Sequence, residues 1–308
     1  MDAISKWIEG EYGFVGTTIK PLRAYTNDVY EVSGEKKFLL KVYGDGWRTK
    51  SEILWEIDLL SFLKSKGVDV AGVVAGMTGN KLFLINVEGG ERLAVLFEWA
   101  RGVKPDSPFS MSDYEKLGAA IAKIHKASDE FVSEHQRTRL DLDYLINNPL
   151  LIIEKSCDLK MFSFFKELAD SLKKEVIAFE QKGLDVGVVH DDVTFDNLHI
   201  DENGEIIFYD FDSGGVGYRA LDLQGWAMLD KETVPRQEAF IKGYRTIREI
   251  SDNDILASPY LHAANEFWGI GLDLERRVLQ KGKAEVDAYL EDKKVMLGGF
   301  LEFFNKQF

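Results

Sequence analysis

The first hundred residues alternate short apolar runs with polar turns, a pattern typical of an antiparallel sheet. One helix is also predicted, over about 50–66, because apolar residues recur there every three or four positions and Gly67 follows. Residues 33–35 would join the first two strands as a hairpin. Four runs rich in β-branched and aromatic residues predict strands, at 29–32, 37–43, 81–85 and 93–97.

From about residue 112 the pattern becomes helical. Ser112 and Glu115 have the spacing of a capping box and predict the start of a helix that reaches about Lys126. Further helices are predicted over roughly 161–182 and over several segments between 235 and 304. A small β-rich part followed by a larger helical part predicts an α+β fold with two lobes. The predicted boundaries are 1–97 for the N-terminal lobe, 98–102 for a hinge and 103–308 for the C-terminal lobe.

Composition and charge limit the function classes. The chain has 308 residues, of which 45% are hydrophobic and 29% charged, as in globular proteins. Its net charge is −14, with 12 basic and 14 acidic residues in 1–100 against 26 and 38 in 101–308. This surplus favours solubility or a cationic partner and disfavours nucleic acid, whose phosphates require a basic surface. No apolar run approaches the ~20 residues that cross a membrane, and the N-terminus lacks a signal-peptide layout. With a single cysteine, we expect a cytoplasmic protein.

Six aspartates crowd residues 188–215, around a predicted hairpin over 198–210. Antiparallel geometry brings the two ends of a hairpin together, so Asn197 and Asp210 should meet at its open end. Their oxygen atoms suit Mg²⁺, which takes a few protein oxygens and keeps water ligands. Asp192, a few residues upstream, is available to handle the proton of a hydroxyl group.

The same stretch fits the kinase catalytic-loop pattern H-x-D-x-x-x-x-N, through His190, Asp192 and Asn197, with Asp210 following. Two other interpretations fit the stretch less well. Ordinary turn and cap carboxylates would not explain a His-x-Asp directly after the apolar run 186–189. The adjacent His and Asp of a metal-dependent phosphohydrolase normally lie on helices with further His ligands, whereas here the pair follows a predicted strand and precedes a hairpin.

The N-terminal part offers the remaining charges that a phosphoryl-transfer site requires. Lys41 lies in the middle of a predicted strand, where an unpaired charge is costly. Glu56 lies among the apolar positions of the next helix and is the favoured partner for it. Glu52, one turn earlier, is the competing candidate.

In these motifs the chain resembles the aminoglycoside phosphotransferase and choline kinase superfamily, the small-molecule relatives of protein kinases. The resemblance spans nearly the whole chain. Residues 240–245 and the helices after them are most similar to the branch of type II homoserine kinases and bacterial stress-response kinases. The resemblance implies a two-lobed protein-kinase-like fold, with a small antiparallel β lobe bearing one helix and a larger helical lobe. It also implies an alcohol-phosphorylating kinase that uses ATP and Mg²⁺.

The resemblance implies roles for the catalytic residues. Asp192 would be the catalytic base, and His190 would brace its loop. Asn197 and Asp210 would hold Mg²⁺ against the phosphates, with Asp212 as a nearby assistant. Asp222 would bind the catalytic loop from a helix start.

It also implies a nucleotide site. Lys41, oriented by Glu56, would contact the α- and β-phosphates, and the backbone of the hinge at Glu98 and Ala100 would take the adenine edge. The glycine-rich loop of relatives has no glycine here, in residues 21–29. Thr26, Asn27 and backbone amides are the candidates for covering the phosphates.

Two carboxylates depart from the family pattern. Asp191 stands where many relatives have Gly, and Asp196 adds a further charge. They would raise the local demand for cations or help to hold a cationic acceptor. Trp226, Glu266, Trp268 and Asp273 are further candidates for such an acceptor, through carboxylate and cation–π contacts.

Three functions remain open besides the phosphohydrolase. The favoured one is phosphorylation of a small hydroxyl compound, for which the acidic C-terminal part would suit a cationic amine or an aminoglycoside-like compound. The alternative is a protein Ser/Thr kinase of the stress-response type. A catalytically inactive ATP-binding module is the third, because the glycine loop is missing.

Overall fold

The computed structural model describes residues 2–87, 89–223 and 233–306. The chain forms two compact units. The first unit comprises Met1–Pro105, Glu130–Arg137 and Thr194–Asp212, and the second comprises Asp106–Asp129, Thr138–Val193 and Ser213–Phe308. Residues 1–97 and 98–102, the predicted N-terminal lobe and hinge, therefore all belong to the first unit.

The helices and strands of the first unit are α1 (Asp2–Tyr12), β1 (Thr18–Ala24), β2 (Asn27–Ser33), β3 (Lys37–Tyr43), α2 (Lys50–Ser65), β4 (Phe83–Val87), β5 (Gly90–Glu98), β8 (Leu198–Ile200) and β9 (Ile206–Phe208). Five of these strands form an antiparallel sheet with the order β1-β2-β3-β5-β4. The strands β8 and β9 form a separate hairpin.

The second unit is mainly helical. Its helices and strands are α3 (Met111–Ser128), β6 (Arg139–Leu140), α4 (Asn148–Ser156), α5 (Leu159–Gln181), β7 (Val186–Val189), β10 (Gly215–Tyr218), α6 (Val234–Arg245), α7 (Asp252–Asp273) and α8 (Lys283–Lys306). In its three-stranded sheet, β10 lies between β6, to which it is parallel, and β7, to which it is antiparallel. Short π-helical or 3₁₀ turns lie between these elements at 143–147, 219–222, 274–278 and 279–281.

This architecture confirms the predicted α+β fold class, with an antiparallel sheet carrying α2 and a larger helical part. The four strands and the helix predicted in the first hundred residues all form, with shifts of up to three residues at their ends. The pattern did not predict α1 or β1. In β1, six of seven residues are exposed, so the alternation that marks a half-buried strand is missing.

The predicted capping box at Ser112 and Glu115 is wrong, because α3 begins two residues earlier. Ser110 is the N-cap: its hydroxyl accepts from the Asp113 amide at 3.2 Å, and the Asp113 carboxylate accepts from the Ser110 amide at 2.8 Å. Two overlapping Ser-x-x-acid patterns compete here. Either could close the same reciprocal pair of hydrogen bonds, so spacing alone did not decide between them. Among the described residues, no helix combines the length and the apolar character that crossing a membrane would need.

Two glycines let α3 and α6 approach backbone to backbone. A Cβ added at Gly243 would lie 1.7 Å from the carbonyl oxygen of Glu115, and one added at Gly118 would lie 1.9 Å from that of Phe240. Neither side chain could be accommodated unless the two helices moved apart. This contact therefore requires glycine on both helices.

Gly243→Ala is accordingly expected to destabilise the protein by about 3 kcal/mol, the upper end for overpacking, because backbone rather than a flexible side chain must shift. Thermal unfolding should show a melting temperature lower by several degrees. Gly269→Ala in α7 is the matched control, since its Cβ would meet nothing within 4 Å. A helical Gly→Ala change in open space stabilises by roughly 0.5–1 kcal/mol. Equal melting temperatures for both variants would contradict the close-packing argument.

Candidate active site

Lys41 is a buried cation held by two carboxylates. It lies in the middle of β3, paired with Val29 of β2 and Val95 of β5. Its Nζ atom is 2.7 Å from Asp210 Oδ1 and 3.7 Å from Glu56 Oε1. Burial alone would lower the pKa of Lys41, but the two carboxylates more than offset this and hold the pKa above its ordinary value. The lysine is therefore charged at every working pH.

Of the two carboxylates that the sequence offered as partners, Glu56 is the one that pairs with Lys41. It is fully buried, and its Oε2 atom accepts a hydrogen bond from the Tyr43 hydroxyl at 3.1 Å. Burial raises the pKa of Glu56, and the charge of Lys41 opposes that rise. Glu52 instead caps α2, where its carboxylate accepts from the Thr49 amide at 2.9 Å.

The Asp210 carboxylate is contacted by two cations of the first unit. Its Oδ1 atom accepts from Lys41 and its Oδ2 atom from Arg23 Nη2, each at 2.7 Å. Burial raises the pKa of Asp210, but the two cations outweigh it and hold the pKa well below the ordinary range. The backbone of Asp210 has φ +65°, a left-handed conformation that Asp tolerates better than most residues.

The hairpin brings Asn197 and Asp210 to its open end, as expected. Leu198 pairs with Phe208, and the Tyr209 amide donates to the Asn197 carbonyl at 3.0 Å, so the two site residues directly flank the paired strands. No group of three or more His, Cys, Asp or Glu side chains in the described ranges could hold a metal. An amide and a carboxylate oxygen nevertheless fit Mg²⁺, provided that water and phosphate oxygens complete its coordination.

Lys41, Asn197 and Asp210 line one cavity of about 480 Å³. This cavity, the Lys41 cavity, is lined wholly by residues of the first unit. Its walls are largely apolar, from β2, β3 and β5 and from α2 and the segment after it: Val29, Leu39, Leu60, Ala71 and Phe97. An apolar cavity of this size with a few convergent charges is typical of a small-molecule site.

Three of the predicted hinge residues, Glu98, Trp99 and Ala100, line the Lys41 cavity. The Ala100 carbonyl accepts from His199 Nδ1 at 2.8 Å, whereas the Ala100 amide donates to no acceptor within the part of the chain that the structure describes. The Glu98 amide donates to the Gly72 carbonyl at 2.8 Å, and the Glu98 carboxylate pairs with Lys64. Glu98 is therefore engaged with its neighbours through both its amide and its carboxylate.

Asn27 and Asp212 are joined in a buried hydrogen-bond network. Asp212 Oδ2 accepts from Asn27 Nδ2 and from Trp47 Nε1, both at 2.6 Å, and Asn27 Oδ1 accepts from the Gly44 amide at 3.1 Å. The Thr26 hydroxyl lies 3.5 Å from Asn27 Nδ2. These groups hold the segment after β3 to the segment after β9.

The residues of the predicted catalytic loop that belong to the second unit are held by Asp222. Its carboxylate accepts from the His190 amide at 2.7 Å and from the Asp191 amide at 2.8 Å, and it lies 3.0 Å from His125 Nε2. The Asp192 amide donates to His190 Nδ1 at 3.3 Å, so the His190 side chain contacts the backbone of its own loop. Burial lowers the pKa of His125. This arrangement fixes the backbone on both sides of the loop start.

Asp191 adopts φ +61°, which accounts for the glycine that many relatives have there. Its carboxylate accepts from Asn265 Nδ2 at 3.2 Å. Asn265 Oδ1 is buried without a hydrogen-bond partner among the described residues. The second departure, Asp196, is exposed and pairs with Lys104 at 2.6 Å.

Other residues considered for a cationic acceptor have partners within the second unit. Glu266 lies 3.4 Å from Lys293, and Asp273 accepts from the Tyr289 hydroxyl at 2.8 Å. Trp268 stacks on Tyr144 with ring centroids 5.8 Å apart. Trp226 lies outside the described residues.

Residues 18–255 match the model of the phosphotransferase enzyme family. The chain belongs to this family. The phosphotransferase class predicted from the sequence is thereby confirmed, and the phosphohydrolase alternative is set aside. The finer assignment to the homoserine kinase and stress-response branch stays a prediction.

Known proteins similar to this family member include both sequence relatives and solved structures. An uncharacterized protein of Deinococcus radiodurans is 29% identical and covers 88% of this chain and 81% of its own length. A microcompartment-associated aminopropanol kinase has a TM-score of 0.80 at 20% identity, covering 98% of each chain. The amicoumacin kinase hAmiN, solved with AMP-PNP, Ca²⁺ and Ami, has a TM-score of 0.78 at 22% identity, covering 95% of this chain and 91% of that one. Both structures support the fold.

Proposed function

We propose that this phosphotransferase moves the γ-phosphate of ATP, with Mg²⁺, to a hydroxyl group of a small molecule that carries an amine or ammonium group. The observation that carries the proposal is Lys41, buried between Glu56 and Asp210 at the wall of the Lys41 cavity. A buried lysine with two carboxylate partners is costly as a purely structural device. It has a clear use where phosphates must be bound in a cavity of low polarity.

The Lys41 cavity is the proposed nucleotide site. The Ala100 amide, for which the described residues supply no acceptor, would bind the adenine ring, and the apolar walls of the cavity would pack against the ring. Lys41 would contact the phosphates and Glu56 would orient it. Asn27 and Thr26 were predicted from the sequence to contact the phosphates. Their role would be indirect: the hydrogen bonds of Asn27 would position the segment that contains Asp212.

Asn197 and Asp210 would hold Mg²⁺, which would neutralise charge that develops on the phosphates. Asp192 would accept the proton of the acceptor hydroxyl while the hydroxyl oxygen attacks the γ-phosphorus. The bond between that phosphorus and the β–γ bridging oxygen breaks, and its electron pair leaves with ADP. The products are ADP, a phosphate monoester and a proton.

The acidic second unit supports an amine-bearing acceptor. Asn265 Oδ1 is a buried acceptor without a donor among the described residues, and it belongs to the side chain that donates to the Asp191 carboxylate. An ammonium group supplies several N–H donors and a positive charge, and would satisfy such a pair. Of the similar proteins, the aminopropanol kinase is named for an amino alcohol.

The experiment is a transfer assay with pairs of acceptors that differ only in the amine, such as an amino alcohol and the diol of the same carbon skeleton. Consumption of ATP with formation of the phosphorylated amino alcohol, and at least tenfold less turnover of the diol, is expected. Equal turnover would refute the amine requirement. Transfer to a generic protein substrate, with none to small alcohols, would favour the protein Ser/Thr kinase alternative.

A further inference from the structure

Two cations that differ in solvent exposure contact the Asp210 carboxylate. Lys41 is 3% exposed at its side chain and Arg23 is 54% exposed, although both approach the same carboxylate to 2.7 Å. The lysine is enclosed and cannot leave without a rearrangement of the sheet. More than half of the arginine side chain is exposed to solvent, so it can leave the carboxylate without a rearrangement of the sheet.

An irregularity in β1 places Arg23 at the Lys41 cavity. In the pairing of β1 with β2, Pro21 faces Tyr30 and Arg23 faces Val29, so the register shifts at Leu22. Successive strand residues normally point to opposite faces, yet both Leu22 and Arg23 line the cavity. A bulge of this kind re-aims a side chain.

The guanidinium group of Arg23 is well suited to bind the phosphates of a nucleotide. The strand pair β1–β2 lacks the glycines whose amides cover the phosphates in a glycine-rich loop, and Pro21 has no amide hydrogen to offer. A guanidinium group presents several N–H donors in a planar fork and binds phosphate oxygens in pairs. It could supply the contacts that the backbone of residues 21–29 does not.

Mg²⁺ held by Asn197 and Asp210 would compete with Arg23 for the Asp210 carboxylate. Asp210 Oδ2 accepts from Arg23, and Oδ1 accepts from Lys41. Three cations on one carboxylate would repel one another unless negative charge arrives with the third. Nucleotide phosphates bring that charge, and they also offer Arg23 a new partner.

We propose that Arg23 is the phosphate-covering residue of this chain, which holds Asp210 in the nucleotide-free protein and transfers to the phosphates when metal and nucleotide bind. The proposal rests on the proposed nucleotide site. It predicts opposite effects of removing the guanidinium: the nucleotide-free protein should bind a divalent cation more tightly, whereas affinity for the metal–nucleotide complex should fall. A residue that merely stabilised the fold would not produce both.

The test compares binding to the wild type, Arg23→Gln and Arg23→Lys. Mn²⁺ binding without nucleotide is measured by electron paramagnetic resonance, and Mg²⁺–AMP-PNP binding by titration calorimetry. Arg23→Gln should bind Mn²⁺ at least threefold more tightly and Mg²⁺–AMP-PNP at least tenfold more weakly, the scale of one charge-assisted contact. Arg23→Lys, which keeps the charge without the fork, should give intermediate values and shows that the fold is retained.

Lys20→Gln is the matched control, since Lys20 lies on the same strand, is exposed and does not line the cavity. It makes the same change in charge and should bind both ligands as the wild type does. If the wild type binds Mg²⁺–AMP-PNP and Arg23→Gln binds both ligands as tightly as the wild type, this inference is wrong and the proposed function stands. Failure of the wild type to bind the nucleotide would overturn the proposed function together with it.

Discussion

Replacing Asp192 with Asn is expected to lower the turnover number by about 10²–10⁴-fold, the range for removing a general base. The substitution keeps the size and polarity of the side chain but cannot accept the hydroxyl proton. Asp192 lies outside the residues that line the Lys41 cavity, so the affinity for Mg²⁺–AMP-PNP should stay within about twofold of the wild type. The measurements are steady-state kinetics and titration calorimetry on the same samples.

Asp170→Asn is the matched control for that loss, because Asp170 is an exposed carboxylate of α5 that pairs with Lys166 at 2.6 Å. It should leave both measurements unchanged. Nucleotide affinity lost in parallel with turnover in Asp192→Asn would mean that this residue acts in binding or folding. Full turnover would remove it from the chemistry altogether.

Lys41→Met is expected to lower stability by roughly 3–5 kcal/mol and to abolish measurable nucleotide binding. The stability loss arises because Glu56 would remain buried without its cationic partner, and Asp210 would keep only Arg23. Adding Glu56→Gln removes the stranded charge, so the double variant should recover part of the stability. It should not recover nucleotide binding, because the phosphate contact is still missing. Urea unfolding and calorimetry separate the two effects.

Lys37→Met provides the control on the same strand. Its side chain is 54% exposed, pairs with Glu31 and lies 5.2 Å from the centroid of the Trp99 ring, so its loss should cost far less than the loss of Lys41. If the destabilisations of Lys41→Met and Glu56→Gln were simply additive, the ion pair between them would not be the source of the cost. Retained nucleotide binding in Lys41→Met would refute the assignment of the phosphate site.

The site residues predicted from the sequence are those whose position follows from local rules. The hairpin turn at 201–204 fixes the return of the chain, so Asn197 and Asp210 could be placed at one end before any long-range contact was known. Lys41 and Glu56 stood out because each is a charge at a position where the periodicity requires an apolar residue. Such local conflicts are typical of functional sites.

Long-range contacts set what the sequence did not predict. Arg23 and Asp210 are 187 positions apart, and the register shift that aims Arg23 lies in a strand with almost no buried face. The bonds from Asn27 and Trp47 to Asp212 likewise join distant segments. No periodic pattern marks these residues, because their partners are chosen by tertiary packing and not by their neighbours in the chain.

Above all, we propose that this phosphotransferase moves the γ-phosphate of ATP to an alcohol. The most direct measurement is ³¹P NMR of ATP, Mg²⁺ and the protein with a mixture of amino alcohols, with Asp192→Asn as the parallel sample. We predict that the γ-phosphate signal is replaced by a phosphate monoester signal, and that this signal is missing with Asp192→Asn. Release of inorganic phosphate alone, or ATP left intact with every acceptor, would contradict the account.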